Sequence, residues 1–191
     1  MQPTASRVDL RVLLDRVEAA SPVEAVDVLT DELARMLHAD FVVFWIADLG
    51  GRSLCRIGGS GTNAARDWQD GAENAPTTPV PGSRYEPVLR ERRIDVVTGH
   101  GVGALLTVPV SDRGDAIGVI DLQLSWQPDA ATIAEITTAA QVLAHVVIAC
   151  RRHTDLFEWA QRTKRFNLAA EIQRRLLPSA LTCETAQFTL S

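Results

Sequence analysis

Between residues 8 and 20, Leu10, Leu13, Leu14 and Val17 recur at spacings of three and four with charges between them, which predicts an amphipathic helix. The stretch SPVE follows. Ser21 reads as an N-cap, Pro22 as the first helical residue and Glu24 as the acid of a capping box, so a second helix is expected from Pro22. Its apolar face is Val26, Leu29, Leu33, Met36 and Leu37, and the pattern fades near His38. The period then changes. FVVFWIA from Phe41 has no polar alternation and is rich in β-branched and aromatic residues, which predicts a strand buried on both faces. DLGGRS is turn chemistry and LCRIG a returning strand, so the two form a hairpin.

From Gly58 to Gly82 the chain turns to Gly, Ala, Asn, Thr and Pro around a single Trp68, the composition of a long crossing loop. YEPVLRERR predicts a short helix and IDVVT a short strand. GALLTVPV, SDRGD and AIGVIDLQLS read as strand, turn and strand. Beyond Pro128 a helical pattern runs to Leu177. Two helices, a hairpin, a loop with one helix, further antiparallel strands and a closing helix together predict an α+β sandwich, an antiparallel sheet with helices packed on one face.

Composition narrows the function classes. The net charge of −5 argues against nucleic acid as the main partner. Charge is uneven, however: residues 151–177 hold seven Arg and Lys against three acids, a net +4, which leaves −9 for the rest. Cys55, Cys150 and Cys183 are odd in number and form no CxxC or Cys/His pairing, so neither a disulfide framework nor a metal site is expected. No run is read as long and apolar enough to span a bilayer, and the N-terminal stretch is unlike a secretory leader. A cytoplasmic protein without membrane contact is the expectation.

Within the last helix Ile133, Ile136, Ala140, Leu143, Val147 and Cys150 repeat with heptad spacing, while Val142, Val146 and Ile148 between them leave it apolar on most sides. One stripe must pack on the chain itself. The expectation is that Ile136, Ala140, Leu143, Val147 and Cys150, with Leu10, Leu13, Leu14 and Val17 of the first helix, build a homodimer interface; a buried core helix is the alternative. The seam fails at Thr154, Gln161 and Lys164 and resumes at Leu168, Ile172 and Leu176, in the manner of a stutter. One continuous helix over 129–177 would extend about 70 Å.

LLTVPVSDRGDAIGVIDLQLS resembles the final hairpin of a GAF domain, an apolar strand ending in Val-Pro, a turn with Gly, then Ile-Gly-Val. Pro109 suits the end of ladder donation, Gly114 the reversal, and Gly118 a close approach to the sheet. The order of elements fits that family, whereas a PAS domain would not place two helices before its first hairpin. LAAEIQRRLLPSAL is similar to the segment leading into the catalytic domain of bacterial PPM-type serine/threonine phosphatases of the SpoIIE/RsbU kind, which are protein phosphatase 2C-like. The two resemblances imply a sensor domain over 6–150, a coiled-coil-like helical linker over 151–178, and the truncated start of a phosphatase domain over 179–191. They imply a regulatory and dimerising module for an attached phosphatase that uses Mn or Mg on aspartates and acts on a phosphoprotein. No aspartate follows Asp155, so the metal-binding motif is not in this chain and no residue of it is read as catalytic.

The GAF resemblance also implies a small-molecule pocket between the sheet and residues 58–103, lined by candidates Trp45, Cys55, Trp68, Tyr85, His100, Thr107 and Asp121. Each has a plain structural role as its alternative: core for Trp45, loop anchor for Trp68, turn residue for His100 and an edge or capped carboxylate for Asp121. The cyclic-nucleotide pattern and the bilin-attachment His are missing; haem on His100 is a weak option. Two other outputs compete. A histidine kinase would use His153, yet HTDLFEW lacks that family's following Glu and later Pro. A stand-alone GAF-type methionine sulfoxide reductase would need paired cysteines around the pocket.

Overall fold

The computed structural model describes residues 8–60, 76–98, 103–151 and 153, together with the backbone of 183–184 and 189–190. Helix α1 (Leu10–Glu18) is capped by Asp9, whose carboxylate accepts the Arg11 and Val12 N–H groups. Helix α2 (Ala25–Leu37) starts later than expected. The Ser21 hydroxyl does donate to Glu24 (2.6 Å), but the Glu24 N–H bonds the Ser21 carbonyl, so Pro22–Glu24 make a turn before the helix. The five predicted apolar residues of α2 are all buried. His38 ends it in the left-handed region at φ 50°, donating to the carbonyls of the last turn.

Six strands form one antiparallel sheet in the order β3 (Thr77–Pro79), β2 (Ser53–Ser60), β1 (Ala39–Ala47), β6 (Asp115–Leu124), β5 (Ala104–Asp112), β4 (Asp95–Thr98). The central β1 is buried on both faces, as its unbroken apolar run predicts. Pro109 lies past the last pair of β5 with β4, Thr107↔Asp95, where β5 tolerates a missing donor. Arg113 (φ 47°) and Gly114 (φ 92°) make the two-residue reversal between β5 and β6, the geometry of a primed hairpin turn. A Cβ at Gly118 would overlap the Trp45 carbonyl oxygen and press on the Phe44 ring, so this glycine permits β1 and β6 to meet where β1 pairs irregularly with β2.

Helices α1, α2 and the closing α4 (Ala130–Cys150) cover one face of the sheet, enclosing Val42, Phe44, Ile46, Ile57, Leu106, Val108, Ile120 and Leu122. The short α3 (Tyr85–Glu91) packs on the opposite face against β5 and β6, over Ala47, Leu54 and Val119. Outside the sheet, β7 (Cys183–Glu184) pairs with β8 (Thr189–Leu190).

The heptad seam of α4 corrects the expectation drawn from it. Ile136, Ala140, Leu143, Val147 and Cys150 are buried within the single chain, as are Leu13 and Val17 of α1, so these side chains have no surface left for a second subunit. Heptad spacing marks any narrow apolar stripe, and here the stripe faces β5 and α2. Of the nine residues expected at a dimer interface, only Leu14 is well exposed (40%), and Leu10 is half-buried against the core. By length and composition α4 also qualifies as a bilayer-spanning helix, contrary to the sequence reading, although Ile136, Leu143, Val146 and Val147 are buried in the core of the chain. The seam break and its resumption, from Thr154 to Leu176, fall outside the described residues.

Candidate functional site

Two adjacent rungs of the sheet define the surface under α3. One runs Val43, Asp121, Thr107, Asp95 across β1, β6, β5 and β4. The other runs Arg56, Trp45, Val119, Pro109 across β2, β1, β6 and β5. Residues opposite one another on neighbouring strands share a face, so carboxylate, hydroxyl, indole and guanidinium groups meet there on apolar strands.

Asp121 is the hub. Its side chain is about 4% exposed, a position that a carboxylate holds only when partnered. The Thr107 hydroxyl donates to Oδ1 at 2.7 Å. The Tyr85 hydroxyl and Arg84 Nη2 both donate to Oδ2 at 2.8 Å, and Nη2 also donates to the Tyr85 oxygen at 3.1 Å. The Arg84 guanidinium lies 4.8 Å from the Tyr85 ring centroid, within cation–π range. On the Trp45 side, the indole and Tyr85 ring centroids are 6.4 Å apart and tilted by 47°. The Trp45 Nε1 is buried and has no hydrogen-bond partner among the described residues.

Chain geometry explains why these groups converge. Arg84 and Tyr85 begin α3; the Ser83 hydroxyl donates to the Val80 carbonyl and Gly82 N–H to Glu86, closing the turn that swings them onto the sheet. At the other end, Arg92 in the left-handed region donates to the Gly114 carbonyl of the β5–β6 turn. Helix α3 is thus tied to the β5–β6 hairpin at both ends. Burial pushes the Tyr85 hydroxyl above the usual phenol value; Arg84 pulls it down and Asp121 adds to the rise. Burial opposes the Arg84 charge, but the Tyr85 oxygen and Asp121 outweigh it and hold its proton more firmly.

Of the seven candidates, Tyr85, Thr107 and Asp121 form one hydrogen-bonded group with Trp45 beside it. Cys55 is a correction. It pairs with Ile46 and packs in the core on the helix side, and its thiol is pushed up to about 11 by burial, the opposite of an activated thiolate. Cys150 is also buried on the helix side. Trp68 and His100 fall outside the described residues. Sequence reading missed Arg84, the partner of Asp121, and Arg56, which stands across from Trp45. YEPV was read as a helix start, and no local pattern in SRYEP marks the arginine, because its carboxylate lies 37 residues away.

Comparison with known proteins fits this geometry. The GAF domain profile matches residues 21–149. No curated protein matches the sequence. The GAF domain of a phosphoenolpyruvate-protein phosphotransferase from Acinetobacter superposes with a TM-score of 0.61 at 16% identity, covering 75% of this chain and 93% of that one. A methyl-accepting chemotaxis protein gives 0.60 at 14%, covering 75% and 98%. The free methionine-R-sulfoxide reductase from Neisseria meningitidis, solved with its substrate, gives 0.59 at 16%, covering 76% and 89%. At these identities the likeness is one of fold.

Proposed function

The chain belongs to the GAF domain family, and from that premise we propose that it is the sensory input of a bacterial signalling protein, binding a small molecule beneath α3 and regulating an attached serine/threonine phosphatase. The observation that carries the sensor reading is the buried Asp121–Thr107–Tyr85–Arg84 group, a polar network set into an apolar sheet face under a short helix. Its position suits an input. Thr107 faces α3, whereas its neighbours Leu106 and Val108 on the same strand belong to the core that α4 covers. A change in the network is one strand's thickness from the helix that leads to the rest of the chain.

The output rests on the resemblance of LAAEIQRRLLPSAL to the approach segment of PPM-type phosphatases, whose Mn or Mg ions and phosphoprotein substrate belong to that domain. Exposed Val12 (38%) and Leu14 (40%) on α1 are among the apolar groups that a homodimer would cover. The test is Mn-dependent hydrolysis of a phosphoserine peptide by the parent polypeptide, comparing wild type with Tyr85→Phe. Regulation through this site predicts a several-fold change in rate with the fold intact. Identical rates in the two proteins remove the site from regulation, and nucleotide-dependent phosphorylation in place of hydrolysis replaces the phosphatase with a kinase.

A further inference from the structure

We infer that the surface beneath α3 is selective for a small, partly aromatic molecule bearing a carboxylate or carbonyl acceptor, with the Trp45 indole N–H as its anchoring donor. The inference deepens the sensor reading and rests on it. A buried donor without a partner costs stability, so an unpaired group of this kind calls for an explanation. Trp45 Nε1 is such a donor, within a rung whose next position on β2 is Arg56 and whose next position on β6 is Val119. The Tyr85 ring stands 6.4 Å away as an aromatic wall.

The remaining polar groups point to the same ligand class. Both hydrogens of Arg84 Nη2 are directed within the chain, to Asp121 and Tyr85, which leaves its Nε and Nη1 donors on a side chain about a third exposed. The central carboxylate, by contrast, is already taken: three donors converge on Asp121, and Arg84 balances its charge. The other acid on these rungs, Asp95, lies on β4, three strands from Trp45, roughly 14 Å at the usual strand spacing. Among the described residues, the groups around Trp45 are therefore its own indole donor, the Tyr85 ring and apolar walls, while the carboxylates of these two rungs are engaged or distant. An oxygen acceptor satisfies the indole N–H; an ammonium group, which has donors and no lone pair, leaves it unpaired.

The test uses the whole chain and three probes of one size: benzoate, benzyl alcohol and benzylamine. Indole N–H signals are followed by NMR, with the Trp45 signal identified by its loss in Trp45→Phe. Benzoate is expected to shift that signal saturably at millimolar concentration, and Trp45→Phe to bind benzoate about 10-fold more weakly at an unchanged or slightly raised melting temperature. Benzylamine leaves the signal in place. If benzoate and benzylamine bind beneath α3 equally well, or Trp45→Phe binds benzoate as tightly as wild type, the acceptor selectivity is overturned while the sensor reading stands. If no probe perturbs Trp45, Tyr85 or Thr107 and a wider set of small molecules also fails there, both fall.

Discussion

The two faces of the sheet are built on opposite principles. The helix side is closed by α1, α2 and α4 over residues that are almost all apolar and fully buried. The α3 side is closed by a two-turn helix over a smaller apolar patch into which a carboxylate, a hydroxyl, a phenol and a guanidinium are set. A buried polar group must find partners or lose stability, and the polar side consequently depends on geometry where the apolar side depends on volume. Stability resides mainly in the first face, and the proposed ligand selectivity in the second.

The sharpest way to break this division uses neighbours on β5. Leu106 points to the helix side and is fully buried; Thr107 points to the α3 side. Leu106→Ala opens a cavity under α4 and is expected to lower unfolding stability by about 3 kcal/mol, measured by urea denaturation, while leaving the Asp121 network in place. Thr107→Val keeps the shape and removes one donor from Asp121 Oδ1, with an expected loss of about 1 kcal/mol and a larger effect on ligand affinity than on melting. Should Thr107→Val destabilise more than Leu106→Ala, the network would have to be read as the structural keystone and not as a site.

The same division governs what could be read from the chain. Apolar periodicity located all four helices and five of the six strands of the main sheet, because burial imposes a period of 3.6 or 2 that the sequence displays directly. The three-residue β3 (Thr77–Pro79) falls in the stretch read as a crossing loop and is too short and too exposed to show a period. Even there, period could not say against what a stripe packs: Ile136, Leu143 and Val147 were expected at a second subunit and lie on their own sheet. Hairpin register was harder. Cys55 and Trp45 are both expected to line the pocket, but the turn in which Asp48 accepts the Arg52 and Ser53 N–H groups sets Trp45 against Arg56 and Ile46 against Cys55. One residue of register sends a side chain to the other face. Thr107 and Asp121 were legible as polar residues inside apolar strands, whereas Arg84 acquires its meaning only once α3 docks on β6.

The smallest expected effect is also the cleanest reporter of the polar face, because Tyr85 is the only tyrosine in the chain. Phenolate absorbance near 295 nm therefore titrates a single group. Burial raises its proton affinity first, Arg84 works against that, and Asp121 reinforces it, with a net rise above the ordinary value of 10.0. As pH climbs past that ordinary value the unfolded chain ionises before the folded one, so the stability contributed by Tyr85 is complete below pH 10 and declines until the folded phenol itself titrates. A midpoint above 10 in the folded protein is the expected outcome. Replacing the carboxylate in Asp121→Asn removes one of the two contributions that raise it while Arg84 remains, so the midpoint should fall. A midpoint at the free-phenol value that does not respond to Asp121→Asn would mean that Tyr85 is exposed in solution, and the contrast between a dry apolar face and a dry polar one would not hold.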